Sequence, residues 1–352
     1  MLLSVMVISH NQAHLIRRCL DSILAQKINA PWEIVISDDA STDGTRDVIE
    51  EYVGKYRESK KKGERYKPII RGCQINSSDY NPTVTSDRCA ANKANVYMHA
   101  TGKYCVNIDA DDYLLGDDIY QYQIDQLEAH PECSVAVQNI LYQNDGEPVE
   151  KGHAWHPRNI WKENEVVDIA EYYHRKLCIS NPAFMMRRDA ELNPMEKYGL
   201  LFDDPIITAH HLCRGKIICS QRAQYVYVQY SNSIWNQVGK DSNDNIVRNL
   251  AGLIISIQLF PKYKNLFLEA DIHNWIVNLK RIVAQKGSPH PTEQTMAYIN
   301  RLNNRCLERI LKEERLYIRL LLYFALAINK TSKFDGVLAA IFLKAIGKGN
   351  RR

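Results

Sequence analysis

The sequence predicts an α/β fold in which a mainly parallel sheet is flanked by helices and followed by a mostly helical C-terminal region. Three observations support this prediction. The chain opens with two strand-and-helix units in succession, and this order implies parallel strands. The predicted strands are short, apolar and rich in β-branched residues, as is typical of strands covered by helices on both faces. After Trp235, the segments that follow have helical periodicity.

The individual elements follow from the spacing of apolar residues. We predict strands over residues 3–9, 32–37, 68–73, 104–108 and 134–142. We predict helices over residues 15–24, 45–56, 87–100 and 119–129. Gly102 fits a helix C-cap, residues 57–67 a solvated connection, residues 76–85 a loop and residues 144–148 a turn. Residues 150–180 have no clear pattern.

The C-terminal third has a different character. Helical periodicity recurs over residues 246–259, 262–285, 292–312, 316–328 and 334–346. A boundary near residues 236–244 separates these segments from the α/β pattern. We therefore expect an α/β domain over residues 1–235 and a helical region over residues 236–352.

The composition is that of a folded protein. The 352 residues are 45% hydrophobic and 24% charged, with a formal net charge of +4, so we expect no nucleic-acid partner. Nine cysteines are scattered without a C-x-x-C pair, and the first residues lack the features of a secretory signal. We expect reduced thiols and a cytoplasmic location.

Positive charge is concentrated near the C-terminus, where residues 301–352 contain twelve Lys or Arg and four acidic residues. Residues 316–328 and 334–346 are apolar but shorter than the ~20 residues that cross a bilayer. A basic, amphipathic helix pair suits peripheral association with an anionic membrane surface, here the inner face of the plasma membrane. Packing of these helices on the rest of the protein is an equal alternative.

An acidic motif, Asp109-Ala110-Asp111-Asp112, directly follows a predicted strand. In open α/β sheets, ligands bind beyond the carboxyl ends of the strands. Neighbouring carboxylates there suit a hard divalent cation, which takes one or two of them together with substrate phosphates. A solvated turn or a helix N-terminus is the alternative interpretation.

A second acidic segment, residues 37–45, follows the second predicted strand. A carboxylate at the end of a buried strand can accept the N3–H of a uracil or thymine ring. Ser41, Thr42 and Asp43 are also natural caps for the next helix. Residues 39–50 match a calcium-binding loop in several positions, but a strand precedes them where that loop needs a helix, so calcium binding is disfavoured.

Four segments, in this order, resemble family 2 glycosyltransferases of the GT-A fold, with its Rossmann-like, mixed and mainly parallel sheet. They are residues 3–26, residues 33–45, Ala100-Thr101-Gly102-Lys103-Tyr104, and Asp109-Ala110-Asp111-Asp112-Tyr113. The resemblance covers about residues 1–235. Three positions depart from the family pattern, namely Ile8, His10 and the run Ala91-Asn92-Lys93, and they leave the donor contacts of that region open.

The resemblance implies a donor site. Asp39 is expected to bind the nucleobase, and Ser9 and Asn11 to lie beside the donor nucleotide. Asp111 is expected to be the leading ligand of Mn²⁺ or Mg²⁺ and of the diphosphate. Asp109 would contact the same donor and cation, and Asp112 would support the metal.

The resemblance also implies a late catalytic carboxylate that precedes an amphipathic helix. Residues 201–212 resemble that segment, and Asp204 is the expected general base. Capping of the helix by Asp203 and Asp204 is the alternative, and His210 and His211 receive no role. Residues 215–218 and 225–230 match the closing strands of the family.

The expected function is an inverting, metal-dependent glycosyl transfer in surface glycan or polysaccharide synthesis. The donor would be a nucleotide-sugar, with UDP favoured by the family's habits, and the acceptor a hydroxyl of a glycan or lipid-linked glycan. A sugar-phosphate nucleotidyltransferase is disfavoured because no glycine-rich loop follows the first strand. A non-catalytic nucleotide-binding protein of the same fold is the other alternative.

Overall fold

The chain divides into two compact units, Met1–Ser231 and Asn232–Arg352. The computed structural model describes residues 1–58, 60–62, 65–76, 85–154, 160–175, 177, 183–199, 202–231, 256, 260–263 and 266–267. The predicted C-terminal helices, with the membrane-surface hypothesis attached to them, therefore lie almost wholly outside the described residues. The domain boundary near residue 235 stays a prediction. Among the described residues, no helix is long and apolar enough to cross a membrane.

Strands and helices alternate through the first unit. The strands are β1 Leu3–Ser9, β2 Trp32–Asp39, β3 Lys60–Lys62, β4 Arg65–Lys67, β5 Ile69–Ile75, β6 Tyr104–Asp109, β7 Tyr113–Leu114, β8 Cys133–Asn144, β9 His153–Ala154, β10 Glu165–Val167, β11 Phe184–Arg187 and β12 Lys216–Gln229. The helices are α1 Ile16–Leu24, α2 Thr45–Lys55, α3 Thr85–His99, α4 Ile119–Ala129, α5 Ile169–His174, α6 Pro194–Tyr198 and α7 Asp204–Leu212.

Ten of these strands form one mixed sheet, which confirms the predicted fold class. Its central order is β10-β12-β8-β11-β6-β1-β2-β5, with β7 paired to β12 and β9 paired to β8. The four strands β5, β2, β1 and β6 run parallel to one another, and β12 runs parallel to β8. β11 lies antiparallel between these two groups.

Burial explains why the parallel strands form where they do. Every residue of β1 and of β2 is buried, as expected for strands with helices on both faces. Helix α1 turns Ile16, Cys19, Leu20 and Ile23 inward at helical spacing. The apolar core therefore lies between the parallel strands and the helices that connect them.

Two segments differ from their predictions because tertiary contacts outweigh local preference. Residues 57–67, predicted as a solvated connection, contain the antiparallel pair β3 and β4. Tyr66 ties this pair to the sheet, since its N–H donates to the Ile28 carbonyl and its carbonyl accepts from the Trp32 indole at 2.7 Å. The two predicted closing strands form one strand, β12, whose polar centre contains a register irregularity between Ser220 and Tyr225.

Gly102 was predicted to cap α3, and this prediction was wrong. The residue does not adopt the left-handed conformation of such a cap. A Cβ at this position would lie 2.5 Å from the Ser4 amide nitrogen and 2.6 Å from the Tyr104 carbonyl oxygen. Glycine is needed here because the backbone of β1 passes directly over it.

Candidate donor and catalytic site

The parallel strands bring the predicted site segments to one edge of the sheet. Ser9 pairs with Asp38 across β1 and β2, and Ile8 pairs with Asp109 across β1 and β6. The two acidic segments therefore follow neighbouring strand ends at almost the same level. This juxtaposition is the one expected from parallel strands that end at a common edge.

Asp39, the predicted nucleobase contact, is buried and ion-paired. Its Oδ2 accepts a hydrogen bond from Arg88 Nη2 at 3.0 Å. The Asp39 carbonyl oxygen lies 2.6 Å from His10 Nδ1, and because a carbonyl only accepts, the ring carries its proton on Nδ1. His10 Nε2 is then the acceptor for Arg88 and Asn11, at 3.4 and 3.2 Å. These contacts form a polar corner beside the end of β2.

Ser9 and Asn11 hold the loops of this corner. Asn11 has a left-handed backbone with φ of 53°, its N–H donates to Ser41 Oγ at 2.8 Å, and its Oδ1 accepts from the Thr42 N–H at 2.9 Å. The hydroxyl of Ser9 is buried and donates to Asp38 at 3.2 Å. Both residues thus lie beside the predicted nucleotide position, and their side chains hydrogen-bond to neighbouring residues.

Asp43 contributes to the start of helix α2. Its Oδ1 accepts from the Thr45 N–H at 3.0 Å and its Oδ2 from the Ala13 N–H at 3.0 Å. These bonds hold the pKa of Asp43 below its usual value, against the effect of burial. Asp43 therefore binds the first residue of α2 from the position before the N-cap residue, which is Gly44.

The acidic motif forms a compact carboxylate cluster after β6. Asp109, Asp111 and Asp112 offer carboxylate oxygens that all lie within 4.8 Å of one another. Burial, with repulsion from the neighbouring carboxylates Asp111, Asp204 and Asp203, raises the pKa of Asp109 to about 7, although attraction to Lys93 opposes this. Burial likewise raises the pKa of Asp111.

The three carboxylates of the cluster differ in their partners. Asp112 is fully buried, and its two oxygens accept from the Tyr225 hydroxyl at 2.5 Å and the Val228 N–H at 2.9 Å. Asp109 and Asp111 are partly exposed. Hard oxygen ligands held this closely, with mutual repulsion that a cation would relieve, fit Mg²⁺ or Mn²⁺. Asp112 instead fastens the motif to β12.

Arg18 lies at the rim of the cluster, a contact that sequence reasoning missed. Its guanidinium donates to the Asp111 carbonyl at 2.9 Å and to the Tyr230 hydroxyl at 3.1 Å, and it stacks 4.5 Å from the Tyr113 ring. Arg18 also lowers the pKa of Asp111 against the effect of burial. It therefore places a positive charge beside the predicted metal and diphosphate site.

The predicted base, Asp204, is the first residue of α7 and is bound by a lysine. Asp203 is the N-cap residue, since its side chain accepts from the Asp204 N–H at 2.8 Å. Lys93 Nζ donates to Asp203 Oδ1 at 2.9 Å and also contacts Asp204 Oδ1. Asp203 thus has the capping role of the alternative interpretation, and the half-exposed Asp204 carboxylate remains the candidate base.

Helix α3 connects all parts of the site. Arg88 reaches Asp39, the Asn92 amide donates to the Ser9 carbonyl at 3.2 Å, and Lys93 reaches the acids of α7. Asp109 also interacts electrostatically with Lys93, Asp203 and Asp204. The predicted nucleobase contact, the acidic cluster and the candidate base therefore lie around one helix. In the sequence, residues 91–93 depart from the family pattern. The only sequence signal for these contacts is the presence of basic residues in a helix that precedes a strand ending in acidic residues.

Several known proteins are similar to this chain in sequence. Residues 4–80 match the profile of Glycosyl transferase family 2. An uncharacterised protein of Mycobacterium tuberculosis is 26% identical over 247 residues, which are 68% of this chain and 62% of that protein. The poly(ribitol-phosphate) beta-glucosyltransferase of Bacillus spizizenii is 31% identical over 115 residues, or 32% of this chain and 15% of that enzyme. In both cases, the chain spans less than two thirds of the relative's length.

A solved structure shows the same fold. S. aureus TarS 1-349, in complex with UDP-GlcNAc, superimposes with a TM-score of 0.63 at 17% identity, covering 99% of this chain and 92% of that chain. The likeness confirms the GT-A fold predicted from the sequence.

Proposed function

We propose that the chain transfers a sugar from a nucleotide-sugar donor to an acceptor hydroxyl, a proposal supported by the match of residues 4–80 to the profile of Glycosyl transferase family 2. The observation that carries this proposal is the convergence of Asp39, the acidic cluster and Asp204 around helix α3. Transfer of a sugar from a nucleotide-sugar needs a contact for the nucleobase, a positive partner for the diphosphate and a base near the acceptor hydroxyl. The residues at this edge of the sheet suit these three roles.

UDP is the donor nucleotide that the corner beside β2 suits. A uracil ring presents one N–H between two carbonyls, which matches a carboxylate acceptor beside a guanidinium donor. Asp39 supplies that carboxylate and Arg88 that guanidinium. The structural neighbour TarS was solved with UDP-GlcNAc, and a relative acts on poly(ribitol-phosphate), so we propose a UDP-sugar donor and a surface-glycan acceptor, free or lipid-linked.

Catalysis is assigned to the side chains at this edge. Asp204 accepts the proton of the acceptor hydroxyl, a role that contributes ~10²–10⁴-fold in enzymes generally. A Mg²⁺ or Mn²⁺ ion held by Asp109 and Asp111 would neutralise charge on the departing diphosphate. Arg18 adds a fixed positive charge at the rim of the same cluster. A single base facing the anomeric carbon opposite the leaving group gives inversion of configuration.

The test is donor turnover by wild type and two matched Asp-to-Asn variants. Purified protein is supplied with a panel of UDP-sugars, Mn²⁺ and glycan acceptors, and released UDP and product are measured. Asp204→Asn is expected to lower kcat by ~10²-fold or more while UDP still binds. Asp125→Asn is the control, because Asp125 lies on the exposed face of α4, where it accepts from Gln121 at 2.8 Å.

The metal is tested in the same assay. Asp111→Asn, or removal of divalent cations with EDTA, is expected to abolish transfer and to weaken UDP binding. Binding and turnover that are indifferent to EDTA would contradict the assignment of a cation to Asp109 and Asp111. UDP binding without consumption of any donor would favour the non-catalytic alternative.

A further inference from the structure

Lys93 holds a position that the proposed mechanism does not explain. Its side chain is 11% exposed, which is unusual for an ammonium group, and it lies between the N-terminus of α7 and the acidic cluster. Burial opposes its charge, but attraction to Asp203, Asp204 and Asp109 outweighs burial and raises its pKa well above the usual value. Lys93 is therefore a permanent cation at neutral pH.

The fold does not need this cation to place helix α7. Asp203 already caps the helix through the Asp204 N–H. Ile206 and Ile207 are buried on its inner face, and Phe202, just before it, packs against Tyr97 at a centroid distance of 5.5 Å. The ammonium of Lys93 therefore acts on the carboxylates rather than on the helix backbone.

The two carboxylates that Lys93 contacts have different duties. Asp203 Oδ1 accepts from the Asp204 N–H and from Lys93, so its orientation is fixed twice. The Asp204 side chain is 41% exposed and its Oδ1 is held by Lys93. A contact with a buried ammonium lowers the number of rotamers that a half-exposed carboxylate samples. The contact with Lys93 therefore favours one orientation of the Asp204 carboxylate.

We propose that Lys93 is a positioning residue, which orients the Asp204 carboxylate. In this role, Lys93 acts through the carboxylates of Asp203 and Asp204, which its ammonium contacts. The inference rests on the proposed function, since it assigns Lys93 to the base of that reaction. A displacement of ~1 Å at a catalytic group can cost ~10²-fold in rate, so loss of this contact is expected to be visible in kcat.

The experiment compares Lys93→Met, Lys93→Arg and Asp203→Asn in the full chain. Lys93→Met is expected to lower kcat at least ~10-fold, with KM for the donor and affinity for UDP with Mn²⁺ within ~3-fold of wild type. The acidic limb of its pH–rate profile is expected to move to higher pH, because the base loses a neighbouring positive charge. Lys93→Arg should restore most of kcat, and Asp203→Asn, which leaves the contact between Lys93 and Asp204 in place, should lower kcat less than Lys93→Met does.

Lys103→Met is the matched control. Lys103 pairs with Glu128 at 2.6 Å, but both side chains are about half exposed and neither belongs to the site. Thermal unfolding of each variant shows whether it is folded. If Lys93→Met does not fold, Lys93→Gln replaces it, with the same expected loss of kcat and the same expected shift of the pH–rate profile, and a wild-type kcat and profile in Lys93→Gln would overturn the proposal.

The outcomes separate the two proposals. An active wild type with Lys93→Met within ~3-fold in kcat and an unmoved pH profile overturns the role of Lys93 and leaves the proposed function standing. Equal losses of UDP affinity and kcat also overturn it, since they mark a donor contact. A wild type that consumes no donor overturns the proposed function, and the role of Lys93 falls with it.

Discussion

Asp39 shows how the partner of a residue changes its chemistry. A lone carboxylate at a strand end would be solvated, whereas Asp39 is buried and its charge is balanced by Arg88. The same ion pair leaves a donor and an acceptor side by side at the edge of the sheet. His10, which departs from the family pattern, also has a structural role, because its Nδ1–H donates a hydrogen bond to the Asp39 carbonyl oxygen.

We predict that this pair determines UDP affinity. Asp39→Ala should weaken UDP binding ~10-fold or more, since a hydrogen bond to a charged group contributes ~1.5–3 kcal/mol. Arg88→Met should weaken it as well, because the buried Asp39 carboxylate then loses its counter-ion. Isothermal titration calorimetry with UDP measures both effects. Arg222→Met, which removes an exposed pair with Asp118, is the control and should bind as wild type does.

His210 makes stability depend on pH. Its Nε2 lies 3.1 Å from an oxygen of Asp189, which accepts, and its Nδ1 accepts from the Tyr198 hydroxyl at 2.6 Å. This pattern fits the neutral ring. Burial and the charges of Lys197 and Arg214 lower the pKa of His210 to about 4, against attraction to Asp189. The histidines 210 and 211 are thus packing residues, as expected when they received no role.

The sign of the pH effect follows from proton uptake. Between the usual pKa of 6.5 and the lowered value of about 4, the unfolded chain binds a proton at His210 that the folded chain does not. The free energy of unfolding should therefore fall by ~1.4 kcal/mol per pH unit for this proton as pH drops through that window. Urea unfolding at pH 7 and pH 5 measures it.

A variant isolates this contribution. Between pH 7 and pH 5, the free energy of unfolding of His210→Asn should fall by ~2 kcal/mol less than that of wild type. At pH 7, the variant should be less stable than wild type because it loses two buried hydrogen bonds. Equal pH dependence in wild type and His210→Asn would contradict the neutral ring.

Among the elements, the parallel half of the sheet could be predicted because its signals are local. In that half, β1 and β2 are continuous buried runs and β6 is buried except at its last residue, and each is followed or preceded by a helix with apolar spacing. Strand ends then fix where the acidic segments lie. The four-residue β11 was not predicted, because its place depends on antiparallel pairing with β6 and β8, which lie far away in the sequence.

The acidic residues of the candidate site could be predicted from the sequence, whereas their basic partners could not. Asp39, Asp109, Asp111 and Asp204 follow from strand ends and from the family resemblance. Their basic partners lie on helices α1 and α3. The sequence does not show which basic residues of these helices are exposed and which are turned towards the site. Only the packing of α3 across the strand ends brings Arg88 to Asp39 and Lys93 to Asp204.

The crossing of β1 over the turn after α3 gives a prediction for these elements. Gly102→Ala would place a methyl group 2.5 Å from the Ser4 amide nitrogen, and backbone on both sides leaves no room to adjust. We expect a loss of at least ~1–3 kcal/mol in the free energy of unfolding. Chemical denaturation gives the value.

A second glycine provides the matched control. Gly54 lies within α2, and a Cβ there has no neighbour within 4 Å. Gly54→Ala should therefore stabilise the protein by ~0.5–1 kcal/mol through helix propensity. Equal effects of the two substitutions would show that the close approach at Gly102 does not constrain the fold.

At the scale of the whole molecule, the residues assigned to the site all belong to the first unit. The ten-stranded sheet and every residue assigned to donor, cation or base lie within Met1–Ser231. The prediction of a domain over residues 1–235 therefore implies that this part is stable without residues 236–352. It also implies that nucleotide binding does not depend on the predicted helical region.

Truncation after residue 231 tests this independence. The shortened chain should unfold cooperatively and bind UDP with Mn²⁺ within ~3-fold of the full chain, because β12 and the core it covers remain intact. Truncation after residue 215 is the matched control. It removes β12, which pairs with β7, β8 and β10 and supplies both partners of Asp112, so this chain should not fold. Aggregation or loss of cooperativity in the longer fragment would show that the second unit is part of the same folding unit, and the domain boundary would then be wrong.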